Sequence, residues 1–227
     1  MLSHASVRQR AAAFRGTRPE TIVAWTLETF PRKTALTVSF GGGGVVLAHI
    51  LSRLDRSVPV LFLDTGFHFP ETHAFKEQFA AKYGLNLVEL HPLTDPGPLY
   101  ETDPDRCCWI RKVEPLQRAL VGFDAWISAV RQGQADTRVG IEVLEFHESD
   151  NRPIIKVFPL ARWTRDDVRR YIRQHDVPYH PLLDQGYPSI GCWPCTRPTR
   201  PGEPERAGRW SGTGKTECGL HTFTTRR

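Results

Sequence analysis

Thr34-Ala35-Leu36-Thr37-Val38-Ser39-Phe40-Gly41-Gly42-Gly43-Gly44-Val45-Val46-Leu47 decides the fold class. Thr34–Phe40 has the β-branched and apolar content of a short buried strand. Four glycines follow, and Val45–Leu54 then carries apolar residues at helical spacing. Val58–Leu63 predicts a second strand, ending in Asp64-Thr65-Gly66. Pro70 and Glu71 open a helix that Gly84 closes, in the order that favours proline first and glycine last. Leu85–Leu90 predicts a third strand. Alternating strands and helices make an α/β fold, with a mostly parallel, doubly wound sheet and helices on both faces.

Further along, Arg106–Leu120 places Trp109, Val113, Leu116 and Leu120 on one helical face, and Pro115 predicts a kink near Arg111. Asp124–Val130, Ile141–Phe146 and Ile154–Phe158 read as strands. Thr164, with Asp167 three residues on, reads as a helix cap, and the helix continues over Asp166–His175. From Pro178 onward periodicity disappears. This divides the chain into an α/β part, 1–177, and an irregular cysteine-bearing segment, 178–227, that ends in a mobile tail.

The glycine turn joins a strand to a helix, where backbone N–H groups and the helix dipole favour an anion. It lacks the third glycine of a dinucleotide fingerprint, because Val46 stands there, and the Lys-Ser/Thr of a Walker loop. Gly208–Thr216 ends like a Walker loop, but Arg209 holds the glycine position and no strand precedes it.

The five cysteines fall into two pairs and a single. Cys107 and Cys108 are adjacent, and a disulfide between them would be strained. Cys192-Trp193-Pro194-Cys195 is a CxxC, compatible with a redox dithiol, half a zinc site or half an iron-sulfur site. Its irregular context argues against the redox dithiol. A metal centre of Cys107, Cys108, Cys192 and Cys195 accounts for both pairs. Zinc and a cluster both fit that cysteine count. The adjacent pair leans toward a cluster, whose separate irons can each take one neighbour. Cys218 stands apart in Glu217-Cys218-Gly219-Leu220-His221, with Arg206, Arg209 and Lys215 close in sequence. Cationic neighbours favour a thiolate, so Cys218 is the candidate nucleophile. With the other four cysteines on a metal, any adduct on Cys218 needs an outside reductant such as thioredoxin.

A net charge of +5 over 227 residues suits a small polyanion, and no basic run marks a nucleic-acid groove. No stretch approaches the roughly 18 apolar residues of a membrane span, and no leader-like apolar stretch opens the chain. Cysteines of this kind fit a cytoplasmic location. The oligomeric state, homo-oligomers included, is not legible.

These residues resemble the assimilatory adenylyl-sulfate reductases that carry a [4Fe-4S] cluster, from about Leu36 to His221. Cys107-Cys108-Trp109-Ile110-Arg111-Lys112-Val113-Glu114-Pro115-Leu116 is similar to their Cys-Cys-x-x-Arg-Lys-x-x-Pro-Leu. Gly191–Pro198 resembles their second cluster half, Glu205–Trp210 their substrate-facing arginine segment, and Glu217–His221 their catalytic signature. Leu63-Asp64-Thr65-Gly66 and Phe69-Pro70-Glu71-Thr72 resemble the segment after their second strand.

The resemblance implies an adenine-nucleotide α-hydrolase-like fold and adenylyl sulfate as substrate. It implies that Cys218 attacks the sulfur, expels AMP and leaves an S-sulfonate, which thioredoxin or a glutaredoxin-like reductant releases as sulfite. It assigns catalytic roles to Cys218, His221 and Lys112, and the cluster to Cys107, Cys108, Cys192 and Cys195. Substrate contacts fall on Ser39, Gly41, Gly42 and Gly43, on Leu63, Asp64, Thr65 and Gly66, and on Arg131, Arg206 and Arg209. Relatives place a serine or an acidic pair in the glycine turn, so here contacts fall to the backbone and Ser39. Arg131-Gln132-Gly133-Gln134 stands where relatives show Arg-Arg-x-Gln, leaving one basic contact missing or moved. The alternatives are a phosphoadenylyl-sulfate or dual-substrate reductase, a PP-loop ATPase, whose aspartate is absent here, and a zinc-stabilised nucleic-acid-binding module.

Overall fold

The computed structural model describes residues 2–149 and 152–221. The last part of the expected mobile tail, 222–227, therefore lies outside the described residues. Among those described, β1 (Thr34–Thr37), β2 (Pro59–Leu63), β3 (Asn86–Leu90), β4 (Ala125–Ser128), β5 (Leu144–Ser149) and β6 (Arg152–Val157) form one sheet in the order β3-β2-β1-β4-β6-β5. All neighbours are parallel except β5 and β6, which make an antiparallel edge. From β1 the chain winds one way through β2 and β3, then crosses back to β4. That reversal opens a crevice beyond the carboxyl ends of β1 and β4, where open α/β sheets bind ligands.

Residues alternate between the two faces of the sheet. Leu36, Val60, Phe62, Ile127 and Ile155 enter the larger core. It is built with α1 (His4–Ala13), α2 (Pro19–Thr29), α3 (Gly42–Leu54), α4 (Pro70–Tyr83) and α7 (Arg165–Gln174). Ala35, Leu61, Trp126 and Ile154 face a smaller core, closed by Leu116 and Leu120 of α6 (Glu114–Leu120) and by Leu220. The thinly covered face is thus finished by the C-terminal segment itself. No periodicity announced α1 and α2. They are held by a Ser3 cap accepting from the Ser6 N–H and by Pro19 in the first turn.

α3 starts at Gly42, inside the glycine run and earlier than the apolar spacing suggested. Phe40, before it, has φ +53° with its ring fully buried. That ring packs on Phe62, Phe75 and Phe79 at centroid distances of 5.8, 6.2 and 5.7 Å. A non-glycine residue there costs about 1–3 kcal/mol, which this aromatic burial offsets. α4 opens at Pro70 and closes at Gly84, and Thr164 with Asp167 forms the capping box of α7, as the sequence predicts.

The kink expected near Arg111 takes a specific form. α5 (Pro104–Cys108) runs into a π-helical turn, Trp109–Val113, and then into α6. Pro115 has no N–H to offer the Arg111 carbonyl, and a wider turn accommodates this. The extra residue shifts the helical phase and corrects the one-face reading. Val113, Leu116 and Leu120 are buried, Trp109 is 49% exposed, and Arg111 and Lys112 turn inward.

Beyond Val177 the described residues contain only short 3-10 turns, Pro181–Leu183 and Trp193–Cys195. The segment is tied down by bridges from His68 to Cys192 and from Thr196 to Arg209. Gly208–Thr216 forms turns rather than a strand–loop–helix, and Arg209 and Lys215 lie over the Trp210 ring. No helix among the described residues is long and apolar enough to cross a membrane.

Candidate active site

A cavity of about 460 Å³ occupies the crevice between β1 and β4. Thr37, Val38 and Ser39 bound it on one side and Ser128, Ala129 and Val130 on the other. Gly41, Gly42, Gly43 and Gly44 form its floor at the N-terminus of α3, and Leu63 lies at the end of β2. Backbone N–H groups of the first helical turn lack intrahelical acceptors and suit an anion. Asp64, Thr65 and Gly66 do not line this cavity. Asp64 accepts from the Gly66 N–H at 2.9 Å, and the Thr65 hydroxyl sits 3.3 Å from Cys192 Sγ.

Cys107, Cys108, Cys192 and Cys195 all line a second, small cavity with Arg111 and Lys112. The π turn sends these two cations inward directly after the cysteine pair. Arg111 donates to the Thr65 carbonyl at 2.8 Å and pairs with Asp95, and its guanidinium lies 4.3 Å from the Phe67 ring centroid. Burial pushes the Cys107 and Cys195 thiols up, and Cys108 up to about 11. Burial also works against a Cys192 thiolate, but Lys112 and the Thr65 hydroxyl outweigh it and bring that thiol below its usual value. Burial opposes the charge on Lys112, yet Cys192, Cys108 and Cys218 more than compensate, so its ammonium is held. Lys112 lines both cavities.

Cys218 lines the large cavity with Lys112, Arg131, Arg206, Arg209 and His221. Its segment is docked. Glu217 accepts from Arg138 Nε and Nη2 at 2.7 and 2.8 Å and from Arg206 Nη2 at 3.2 Å. The His221 ring stacks on Trp126, with centroids 5.2 Å apart and planes at 10°. Burial, with Arg138 and Lys156 nearby, pushes His221 down to about 3. The ring is therefore neutral at physiological pH, so any help it gives a thiolate is not that of a cation.

Arg131 pairs with Glu205 at 2.9 Å, and Arg209 Nη1 donates to the Ile190 carbonyl at 3.3 Å. The Arg209 guanidinium lies so close over Gly191 that a Cβ there would meet Nη2 at 2.2 Å. The Nε groups of Arg131, Arg206 and Arg209 are buried without acceptors among the described residues. Buried donors are ordinarily satisfied, and the oxygens of a sulfate or phosphate would serve.

Arg138 escaped the sequence reading, and Glu217 entered it only as the first residue of the Glu217–His221 signature, with no role of its own. Glu217 precedes Cys218, yet an acidic residue in a tail carries no signal of its own. Arg138 follows the Arg131–Gln134 stretch in which a basic contact looked missing or moved. The Gln134 side-chain carbonyl accepts from both the Arg131 N–H and Arg138 Nη1, at 3.0 and 2.7 Å, which brings Arg138 to the cavity.

The model of the phosphoadenosine phosphosulfate reductase domain matches residues 33–198. The chain is 47% identical over 195 residues to the adenosine 5′-phosphosulfate reductase of Chelativorans sp., covering 82% of this chain and 78% of that one. It is 42% identical over 209 residues to adenosine 5′-phosphosulfate reductase 2 of Bacillus subtilis, covering 88% of each. Among solved structures, a phosphate complex of phosphoadenylyl-sulfate reductase from Candida auris superposes with a TM-score of 0.77 at 32% identity, covering 87% of this chain and 98% of that one. FMN adenylyltransferase of Candida glabrata, 15% identical with a TM-score of 0.62 and covering 96% and 81%, shares the fold alone.

Proposed function

The chain belongs to the phosphoadenosine phosphosulfate reductase family and is an oxidoreductase of it, and from that premise we propose that it reduces adenosine 5′-phosphosulfate to sulfite and AMP. The observation that carries this reading is Cys218 facing a cation-lined nucleotide cavity, with Lys112 between it and the four-cysteine cavity. The nucleotide lies over the strand ends, with its phosphate at the Ser39–Gly44 turn. The sulfate meets Lys112, Arg206 and Arg209, whose fixed positive charge stabilises the developing oxyanions.

The Cys218 thiolate attacks the sulfur. A sulfur–sulfur bond forms, the bond from sulfur to the phosphate oxygen breaks, and AMP leaves with that electron pair. A thiolate of thioredoxin, or of a glutaredoxin-like dithiol, then attacks Cys218 Sγ and sulfite leaves with the electrons of the sulfur–sulfur bond. The second thiol of the reductant resolves the mixed disulfide and frees Cys218. The neutral His221 ring stacked on Trp126 orients the segment.

A [4Fe-4S] cluster would be held by Cys107, Cys108, Cys192 and Cys195. The four thiols line one cavity. A cluster takes one sulfur per iron, so the adjacent pair Cys107 and Cys108 can each meet a separate iron, whereas a single zinc ion would have to accept both neighbours. When bound, the cluster would supply a fixed charge distribution beside Lys112. The reading further includes a cytoplasmic location and a two-part organisation, 1–177 and 178–227, with one cysteine pair in each part.

A second reading, use of the 3′-phosphorylated substrate, is favoured by Arg165, Arg169 and Arg173, which line the same cavity from α7. Sulfite release by anaerobically purified protein with thioredoxin, compared on the two sulfonucleotides, tests both. Preference for the unphosphorylated compound is expected. Preference for the other supports the second reading, and silence on both with the cluster intact overturns the proposal.

A further inference from the structure

Cys218 rides on a segment without regular secondary structure, yet side chains on either side of it are fixed from different parts of the fold. One residue before it, the Glu217 carboxylate takes two hydrogen bonds from Arg138 at 2.7 and 2.8 Å, one from the Thr137 hydroxyl at 3.0 Å and one from Arg206 at 3.2 Å. Two residues after it, Leu220 packs on the cluster of Leu116, Leu120 and Trp126. Three residues after it, the His221 ring stacks on Trp126 and the His221 carbonyl accepts from Lys156 Nζ at 3.2 Å.

We propose that Arg138 is a positioning residue, the fixed end of an ionic latch that closes through Glu217 and sets Cys218 on the cavity. The inference rests on the reading of Cys218 as the nucleophile. Arg138 belongs to the loop after β4, while Arg206 and Glu217 belong to the C-terminal segment, so the carboxylate joins the two parts. Glu217 is also what makes the cation pair tolerable. Arg138 and Arg206 both bond the same carboxylate, and without it two guanidinium groups would face each other partly buried. Burial and Arg138 already bring Arg206 down to about 10. A latch made of charged hydrogen bonds between largely buried side chains gives up those bonds on opening, but each partner is then solvated by water. A purely apolar seat would gain nothing equivalent on opening. Opening is needed because a protein dithiol must reach the Cys218 sulfur, which is half-buried when docked.

The test uses cluster-loaded protein without sulfonucleotide. Iodoacetamide alkylation of Cys218 is followed by mass spectrometry of its peptide, with visible absorbance confirming that the cluster is intact. Arg138→Gln and Glu217→Gln each raise the alkylation rate about tenfold, the scale of losing a charge-assisted hydrogen bond. Arg138→Lys gives part of the protection back. In single-turnover assays the same variants slow S-sulfonation of Cys218 but not reductive release of sulfite. If Arg138→Gln fails to fold, Glu217→Gln decides, because it alters only a tail carboxylate. Alkylation unchanged in the folded variants overturns the latch. Because alkylation needs no substrate, this result stands apart from the choice of sulfonucleotide.

Discussion

The same thiol appears in two opposite settings in this molecule. Cys107, Cys108, Cys192 and Cys195 sit where backbone geometry places them, on a helix running into a π turn and on a 3-10 turn bridged to His68. Cys218 sits where removable side-chain contacts place it, between Glu217 and His221. A cofactor site gains from rigidity, because its ligands must not wander. A nucleophile that meets first a small molecule and then a protein gains from a seat it can leave.

Single substitutions break this comparison most sharply. Cys218→Ser is expected to keep the visible absorbance of the proposed cluster and lose all sulfite release, which absorbance and a sulfite assay read together. Appreciable turnover would sink the mechanism. Cys192→Ser does the reverse damage. It removes one ligand of the proposed cluster at the residue bridged to His68, so iron content, visible absorbance and thermal stability are expected to fall together.

The next largest effects separate two glycines of the same segment. A Cβ on Gly208 would meet the Arg197 carbonyl oxygen at 2.1 Å, so backbone must move and Gly208→Ala lowers the melting temperature. A Cβ on Gly191 would meet only the flexible end of Arg209. Gly191→Ala therefore leaves melting nearly unchanged and displaces one cation from the cavity. Activity falls roughly 10- to 100-fold, the cost of one charge-assisted contact. Equal melting losses in both variants would contradict this division.

A smaller effect lies in the pH dependence of the docked segment. The folded pKa of His221 is depressed from 6.5 to about 3, so its contribution to docking is complete above 6.5 and drains away as pH falls toward 3. The loss is at most about 1.4 kcal/mol per pH unit. Glu217 is held below the usual carboxylate range: burial raises it, and Arg138 and Arg206 more than reverse that, so its own protonation comes after that of His221 has begun. Lys156, which burial brings down to about 8, titrates above the window. Amide exchange over 217–221, corrected for intrinsic rates, speeds up between about pH 7.5 and 5.5. His221→Phe, which keeps the stack on Trp126, flattens that dependence.

What could be read in advance divides along the same line. The sheet, the caps at Pro70, Gly84 and Thr164, and the cysteine pairs were legible because local rules set them: periodicity, capping and ligand spacing. The antiparallel β5–β6 edge was not, because pairing direction is set by contacts far apart in sequence. Nor was Arg138, whose importance depends on Glu217, 79 residues away. The role of Lys112 came through a motif, and its inward turn, set by the π turn, became visible only in the backbone.

That turn supports the finest test. A regular helix would place Trp109, Val113, Leu116 and Leu120 on one face, and truncating any of them would open a cavity. Because the turn Trp109–Val113 holds one residue more than an α-helical turn, with the Glu114 N–H reaching back to the Trp109 carbonyl, the indole is 49% exposed while Val113 stays 4% exposed. Trp109→Ala therefore changes stability by no more than about 0.5 kcal/mol, although the side chain is the largest in the segment. Val113→Ala, a far smaller truncation, costs about 2 kcal/mol and loosens the wall that Gly219 approaches beside Cys218. Urea unfolding of the two cluster-loaded variants ranks them. A larger loss for Trp109→Ala would mean that the helix runs through Arg111 in regular phase, and that Lys112 reaches the cavity by some other route.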